Sequence, residues 1–254
     1  MLELSMSNVQ IGKLHVSEGS LEEIRERVLG GLQDGEKAYC IPLNVTKYSM
    51  AKSDPKLLQA LQQASYVTAD GLPITWLARK LGYSSVQRVT GIDLSEACLQ
   101  TASEQGHRLY FFGTREEVGQ AAIKNLKIKY PGLNVVGYRN GFFDESDVDE
   151  IVREINDASP DILFLGLGLP QKEHFIVDHF SAMNVKFCIT VGGAIDIWAN
   201  VKSRAPKFVQ RFGMEWIYRS LSNIKKTTDL LAYGKAFASD YFIHCRSLNK
   251  PSND

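Results

Sequence analysis

Several features that would narrow the function of a 254-residue chain are missing here. The four cysteines lie far apart and form no paired motif, so neither a zinc site nor a redox centre is expected. No stretch approaches the roughly 18 apolar residues of a membrane-spanning helix. The first twenty residues contain no apolar block typical of a signal peptide. These absences predict a cytoplasmic protein whose thiols stay reduced.

The chain also lacks a net charge, because its 29 basic and 29 acidic side chains cancel. The cancellation hides an asymmetry, since positions 202–250 hold ten Lys or Arg and three Asp or Glu, a net charge of +7. A basic segment on an acidic body suggests an anionic ligand or surface. Aromatic residues among the cations suit a membrane surface, whereas no base-reading motif supports nucleic acid. The plain alternative is a helix that packs on the domain with a solvated row of ion pairs. The residues concerned are Lys207, Arg211, Trp216, Lys225, Lys226, Tyr233, Lys235, Phe237, Tyr241 and Phe242.

Short apolar runs alternate with segments of helical spacing along most of the chain. The spacing predicts strands over 39–43, 108–112, 135–138, 162–165 and 187–191, and helices over 21–32, 93–103, 148–158 and 171–181. Such alternation predicts an α/β fold, with a mostly parallel, Rossmann-like sheet that carries helices on both faces. Near Ser203 the pattern becomes helical only. We therefore expect a core domain over 1–201 and a basic helical appendage over 202–254.

One acidic residue stands between a predicted strand end and a predicted helix start. Asp70 follows the apolar run 64–67, and Pro73 opens the next helix, where its missing N–H is tolerated. In a parallel sheet, ligands bind at the edge where strands end and helices begin. Asp70 is therefore a candidate functional carboxylate. The alternative is that it only orders the turn into the helix.

The motifs ADG, RVTGIDL, GLGLPQKE, VGGAID, RAP and GMEWIYR occur in this order between about positions 44 and 219. Together they resemble the WecG/TagA/CpsF family of bacterial glycosyltransferases. The resemblance implies inverting transfer of a sugar from a UDP-sugar to a polyprenyl-diphosphate-linked saccharide in cell-surface polysaccharide biosynthesis, without metal or cofactor. It also implies peripheral attachment to the inner face of the cell membrane, and it leaves homo-oligomerisation open.

The resemblance also implies residue roles. Asp70 matches the catalytic base, Arg88 a contact of the diphosphate, and Arg219 an arginine that the appendage delivers to the active site. Glycines at strand ends let backbone N–H groups approach a phosphate, although tight turns alone would explain them, and Phe142 either stacks on uracil or belongs to the core. The residues expected to bind substrate are Asn44, Gly71, Thr90, Gly113, Phe142, Gly166, Gly168, Lys172, Gly193 and Asp196.

Two positions depart from the family pattern. Pro42 stands where the family has threonine two residues before Asn44, so any hydroxyl role there is lost. Lys172 stands in place of the glutamine of the family's P-x-Q-E motif. Either change could alter the donor sugar or the acceptor.

Three further patterns have competing interpretations. Asp147 and Asp149 match a metal-binding DxD, but they begin a predicted helix, which favours a structural role. Thr114 to Glu117 fits a capping box. The glycine run 166–168 lacks the third glycine of a nicotinamide fingerprint. A nicotinamide-dependent oxidoreductase and a non-catalytic, membrane-attached assembly factor are the two alternative functions, and the presence of Asp70 and Arg88 disfavours the second.

Overall fold

The fold is known from a computed structural model, which describes residues 8–206, 209, 233–235, 237–239 and 241. Its strands are β1 (Asn8–Ile11), β2 (Leu14–Ser17), β3 (Ala38–Cys40), β4 (Arg108–Gly113), β5 (Asn134–Arg139), β6 (Ile162–Gly166) and β7 (Phe187–Thr190). Its helices are α1 (Leu21–Asp34), α2 (Val45–Met50), α3 (Pro55–Gln63), α4 (Leu72–Lys80), α5 (Gly91–Gln105), α6 (Glu116–Lys129), α7 (Val148–Ala158), α8 (Gln171–His179) and α9 (Ala194–Trp198).

The centre of the molecule is a five-stranded sheet in the order β3-β7-β6-β4-β5, in which every pairing is parallel. Two apolar cores lie on its two faces. One contains apolar side chains of α2, α3, α4, α7 and α8, and the other those of α1, α5, α6 and α9. The predicted Rossmann-like α/β fold with helices on both faces is thus confirmed.

A chain segment beside β3 extends the sheet without forming a regular strand. Isolated parallel bridges join Cys40 to Tyr66 and Leu43 to Ala69, and a further bridge joins Ala69 to Arg88. The strand expected before Asp70 is therefore a series of short bridges. Because all these segments run parallel, the residues that follow them emerge at the same edge of the sheet.

The antiparallel hairpin of β1 and β2 was not predicted from the sequence. Gly12 adopts φ +62° in its two-residue loop, which favours glycine. The hairpin joins the core where the backbone N–H of Ser17 donates to the carbonyl of Val67 at 2.9 Å. It therefore supports the segment that leads to Asp70.

The described residues between 233 and 241 are helical, and two of them pack on α2. The ring of Phe237 lies edge-on to Tyr48, with centroids 5.4 Å apart. The hydroxyl of Ser49 donates to the carbonyl of Tyr233 at 3.0 Å. Arg219 and most of the predicted appendage lie outside the described residues, so the domain boundary near 201 stays a prediction. Within the described part of the chain, no helix is long and apolar enough to cross a membrane.

The predicted capping box at Thr114 is wrong. Arg115 is the N-cap of α6 and makes no side-chain cap bond. Thr114 itself adopts φ +57°, and its hydroxyl donates instead to Asp196 Oδ1 at 3.4 Å. The left-handed turn at Gly113 and Thr114 directs this side chain away from the helix start.

The structural interpretation of the DxD pattern is supported. Asp147 ends a 3₁₀ turn, Glu145–Asp147, and its carboxylate accepts from the backbone N–H of Asp144 at 3.0 Å. Asp149 lies in the first turn of α7, where the helix dipole favours an acid.

Gly113→Ala should destabilise the fold strongly. Gly113 has φ +138°, and an added Cβ would lie 2.4 Å from the backbone carbonyl of Gly166, which cannot move without breaking the sheet. We expect a loss of about 3 kcal/mol or more, or a Tm lower by roughly 6–12 °C. The control is Gly30→Ala in α1, where nothing lies within 4 Å and alanine should add about 0.5–1 kcal/mol. Equal melting temperatures for Gly113→Ala and the natural protein would contradict the geometry.

Candidate functional site

A cleft of about 190 Å³ lies at the carboxyl edge of the sheet, beside β3 and β7. It brings together five of the residues predicted from sequence to form the site, each from a different segment of the chain. These five are Asn44, Asp70, Thr90, Lys172 and Gly193. Its other lining residues are Pro42, Lys47, Gly91, Ile92, Leu169, Thr190, Gly192, Ala194, Ile197, Ser203, Arg204 and Ala205.

Asp70 is held at the cleft by the sheet edge. Its backbone N–H donates to the carbonyl of Leu43 at 2.8 Å, which places it next to Asn44. Gly71, with φ +128°, is the N-cap of α4, so Asp70 lies one residue outside the helix. Its half-buried side chain belongs to the cleft lining. A carboxylate at this position is better placed to act in the cleft than to cap α4.

Asn44 and Thr90 each begin a helix at the cleft. The Oδ1 atom of Asn44 accepts from the backbone N–H of Lys47 at 3.0 Å and so caps α2. The hydroxyl of Thr90 accepts from the backbone N–H of Asp93 at 3.2 Å and donates to its carboxylate at 2.7 Å, which caps α5. Both side chains therefore have a structural role that fixes the local backbone of the cleft.

A buried cluster of three charged side chains, which we call the ion triad, lies at the cleft: Lys47 and Lys172 line it, and Glu173 contacts both lysines. Their exposed fractions are 5%, 3% and 0%. The Nζ atoms of Lys47 and Lys172 lie 2.9 Å and 3.4 Å from the same Glu173 oxygen, Oε1. Neither Glu173 oxygen has a well-aligned hydrogen bond among the described residues, so this carboxylate depends on the two ammonium groups.

The ion triad is electrostatically unbalanced, because two ammonium groups share one carboxylate. The pKa of Lys172 is lowered from 10.5 to about 8, mainly by burial and then by the neighbouring charge of Lys47, while Glu173 opposes the shift. The position of α8, which carries Lys172, is fixed in part by His174, whose Nε2 lies 2.9 Å from Asp54 Oδ2 at the start of α3. Lys172 is therefore held at the cleft rather than free to reach solvent.

Two cleft residues were missed in the sequence, Lys47 and Arg204. Lys47 follows Asn44 by one helical turn, and that spacing could have indicated that both face the same cleft. Arg204 belongs to the RAP motif and forms an ion pair with Asp93, the residue that caps α5 with Thr90. This ion pair thus connects the chain after α9 to α5 at the wall of the cleft.

Several predicted site residues lie beside the cleft rather than in its lining. Gly71 is adjacent to Asp70, and Arg88, half-buried, pairs with the neighbouring segment through the bridge from Ala69. Gly113 and Gly166 pair with each other at the ends of β4 and β6, and Gly168 follows in the loop that leads to α8.

Asp196 and Phe142 also lie outside the cleft lining. Asp196 forms an ion pair with Lys202 and accepts from Thr114, so its carboxylate joins α9 to the turns around it. Phe142 is 70% exposed, which rules out the core position considered from sequence.

The two departures from the family pattern both line the cleft. The ring of Pro42 packs on Gly91, where an added Cβ would lie 2.8 Å from Pro42 Cγ. An apolar wall thus stands where the sequence resemblance led us to expect a hydroxyl. Lys172 is a buried cation where the same resemblance led us to expect an uncharged amide.

Three cysteines are buried thiols, and burial raises the pKa of Cys40 and Cys98 to about 12 and that of Cys188 well above its usual value. They are unreactive as nucleophiles. Among the described residues, no group of three or more His, Cys, Asp or Glu side chains could hold a metal ion.

A model of the Glycosyl transferase WecG/TagA/CpsF family matches residues 9–238, a range that includes the whole cleft. One similar protein is an N-acetylglucosaminyldiphosphoundecaprenol N-acetyl-beta-D-mannosaminyltransferase of Staphylococcus aureus (strain MRSA252), 30% identical over 194 residues and 76% of each chain. A protein of the same name from Bacillus spizizenii is 27% identical over 220 residues, covering 87% of this chain and 84% of the relative.

Lys172→Gln should raise the Tm at pH 7. The folded chain holds the Lys172 proton less tightly than the unfolded chain does, so the penalty is complete below pH 8 and disappears as the pH rises toward 10.5. A pKa shift of this size corresponds to on the order of 3 kcal/mol, and each kcal/mol changes the Tm by about 2–4 °C. The advantage of the variant should therefore shrink between pH 8 and 10.5. A Tm difference that is independent of pH would contradict the buried-cation assignment.

Proposed function

The chain belongs to the WecG/TagA/CpsF family of glycosyltransferases, and we propose that it transfers a sugar from a UDP-sugar to a polyprenyl-diphosphate-linked saccharide. The observation that carries the proposal is the convergence of Asn44, Asp70 and Lys172 in one cleft at the carboxyl edge of a parallel sheet. The names of the two relatives describe an undecaprenol diphosphate acceptor and the transfer of an amino sugar. The two alternatives raised by the sequence, an oxidoreductase and a non-catalytic factor, do not fit this enzyme family.

In the proposed reaction, Asp70 is the general base. Its carboxylate takes the proton of the acceptor hydroxyl while that oxygen attacks the anomeric carbon of the donor. The bond between this carbon and the diphosphate breaks on the opposite face, so UDP leaves and the configuration inverts. The cleft places Asp70 beside Asn44 and the glycine-rich loop at Gly193, which suits a sugar bound between base and leaving group.

The negative charge of the departing diphosphate is balanced by side chains in this proposal, and no divalent ion takes part. Arg88 is the first candidate, because its segment pairs with Ala69, next to the base. Guanidinium groups bind phosphate oxygens in pairs. Arg219 is the second candidate, on the sequence resemblance alone. Glycines 113, 166, 168 and 193 would let the backbone approach the phosphates.

The basic C-terminal segment would bring the enzyme to its lipid substrate at the inner face of the cell membrane. Its net charge of +7 suits an anionic surface. Tyr233 and Phe237 attach this segment to α2, the helix that Asn44 caps. Peripheral binding near the cleft is therefore the proposed location.

Asp70→Asn should lower kcat by about 10²–10⁴-fold, because the amide cannot accept the proton of the acceptor hydroxyl. UDP binding and the Tm should hardly change, since the two side chains are nearly the same size. The measurement is sugar transfer to a polyprenyl-diphosphate-linked N-acetylglucosamine, with Asp178→Asn, an exposed position on α8, as the control. Normal turnover would remove Asp70 from the mechanism, and a large fall in Tm would assign it to the turn.

Reversal of Lys225, Lys226 and Lys235 to Glu should weaken binding to anionic liposomes at least tenfold, since each cation contributes about 1 kcal/mol near such a surface. Turnover of a soluble acceptor analogue should be spared. The matched control makes the same change of charge at Lys13, Lys124 and Lys127, which are exposed on the core domain. Equal loss of liposome binding in both triple variants would show a general charge effect and defeat the proposed docking role.

A further inference from the structure

We infer that the ion triad is an anion subsite of the cleft, in which Lys172 and Lys47 together bind a negatively charged oxygen of the donor. The oxygen belongs either to the diphosphate or to a carboxylate on the transferred sugar. This inference rests on the proposed function, because the ligand is a charged part of a nucleotide sugar. Neither Lys47 nor Glu173 was predicted from sequence to bind substrate, although Glu173 ends the GLGLPQKE motif.

The geometry supports a ligand for these two cations. Lys47 on α2 and Lys172 on α8 approach one Glu173 oxygen from different elements, at 2.9 Å and 3.4 Å. Both line the cleft although each is at least 95% buried. One carboxylate neutralises one ammonium group, so the triad carries an excess positive charge at the cleft surface.

A purely structural role explains Lys47 and Glu173 but not Lys172. A buried carboxylate needs one cation to offset its charge, and Lys47 at 2.9 Å supplies it. The second cation adds the cost of its own burial and of repulsion from Lys47. A bound anion would offset both of these costs.

The other charged groups around the cleft have partners or roles of their own. Arg204 forms an ion pair with Asp93 on α5. Asp70 lies on the neighbouring segment and takes the proton of the acceptor in the proposed reaction. On α8, His174 is paired with Asp54 and points to α3. Among the described cleft residues, the excess positive charge of the triad is thus the one cationic feature without a role in the proposed mechanism.

Two parts of a nucleotide sugar could supply this oxygen, because phosphate and carboxylate oxygens both accept charge-assisted hydrogen bonds from ammonium groups. Every UDP-sugar carries the diphosphate, whereas only a UDP-hexuronic acid carries a carboxylate on the sugar.

Isothermal titration calorimetry tests the inference through proton uptake. An anion on the triad should raise the pKa of Lys172 from about 8, so binding at pH 9 should take up most of one proton, and binding at pH 6.5 almost none. Titrations in two buffers of different ionisation enthalpy measure this uptake. The ligands are UDP, a set of UDP-hexuronic acids, and the neutral UDP-hexoses of the same configurations.

The variants are Lys172→Gln, Lys172→Arg and Lys47→Gln, each of which leaves Glu173 with a cationic partner. Lys172→Gln should weaken binding of the recognised ligand at pH 7 at least tenfold and abolish proton uptake. Lys172→Arg should keep affinity at pH 9 without uptake, because arginine does not titrate there. Lys56→Gln, which removes an exposed lysine paired with Asp178, is the control and should behave as the natural protein does.

The two sources of the anion give different results. If UDP itself shows proton uptake and binds more weakly to Lys172→Gln, the triad binds the diphosphate. Effects confined to the hexuronic acids, with UDP and the neutral hexoses unchanged, assign it to a sugar carboxylate. The inference would be overturned, and the proposed function kept, by the following result. The natural protein binds UDP and transfers sugar without proton uptake, and Lys172→Gln binds every ligand with normal affinity. A natural protein that neither binds UDP nor transfers sugar would overturn the proposed function instead.

Discussion

The site depends on a ladder of backbone hydrogen bonds at the β3 edge of the sheet. Leu43 donates to Thr68, Asp70 donates to Leu43, and Val89 donates to Ala69, at 2.8, 2.8 and 3.1 Å. These bonds set three chain segments side by side, and each segment then enters a helix at the same level. A shift in register by one residue would turn the functional side chains away from one another. The relative placement of Asn44, Asp70 and Thr90 is therefore a property of the backbone.

The cleft combines apolar burial with charge that is only partly compensated. Packing of α2, α3 and α8 in one apolar core removes water from the ion triad, which strengthens every electrostatic interaction within it. Burial of these charges without a ligand lowers the free energy of unfolding. The packing of the parallel sheet has to offset that cost. Sites that bind charged substrates commonly have this character, because the groups are arranged for the complex and not for the free protein.

The fold and the position of Asp70 could be predicted because both follow from local patterns, namely strand and helix alternation and a motif at one turn. The hairpin of β1 and β2 escaped prediction because its strands have only four residues each and are stabilised by a distant segment. The capping box failed at Thr114 because the left-handed turn of Gly113 overrode the local pattern. Lys47 was missed because its partner, Glu173, is remote in sequence, and only the folded chain brings the two together.

Helix α2 has only six residues and makes contacts in two directions. Its first turn carries Asn44 and Lys47 to the cleft, while Tyr48 and Ser49 hold the C-terminal segment. Because the same six residues carry both sets of contacts, a tilt of α2 toward the segment would also displace the cleft wall. Any preference of the C-terminal segment for one tilt of α2 is then felt equally by a ligand in the cleft, and thermodynamic reciprocity requires the converse. A ligand that favours the same tilt of α2 as the C-terminal segment does would therefore strengthen the contacts between that segment and the helix.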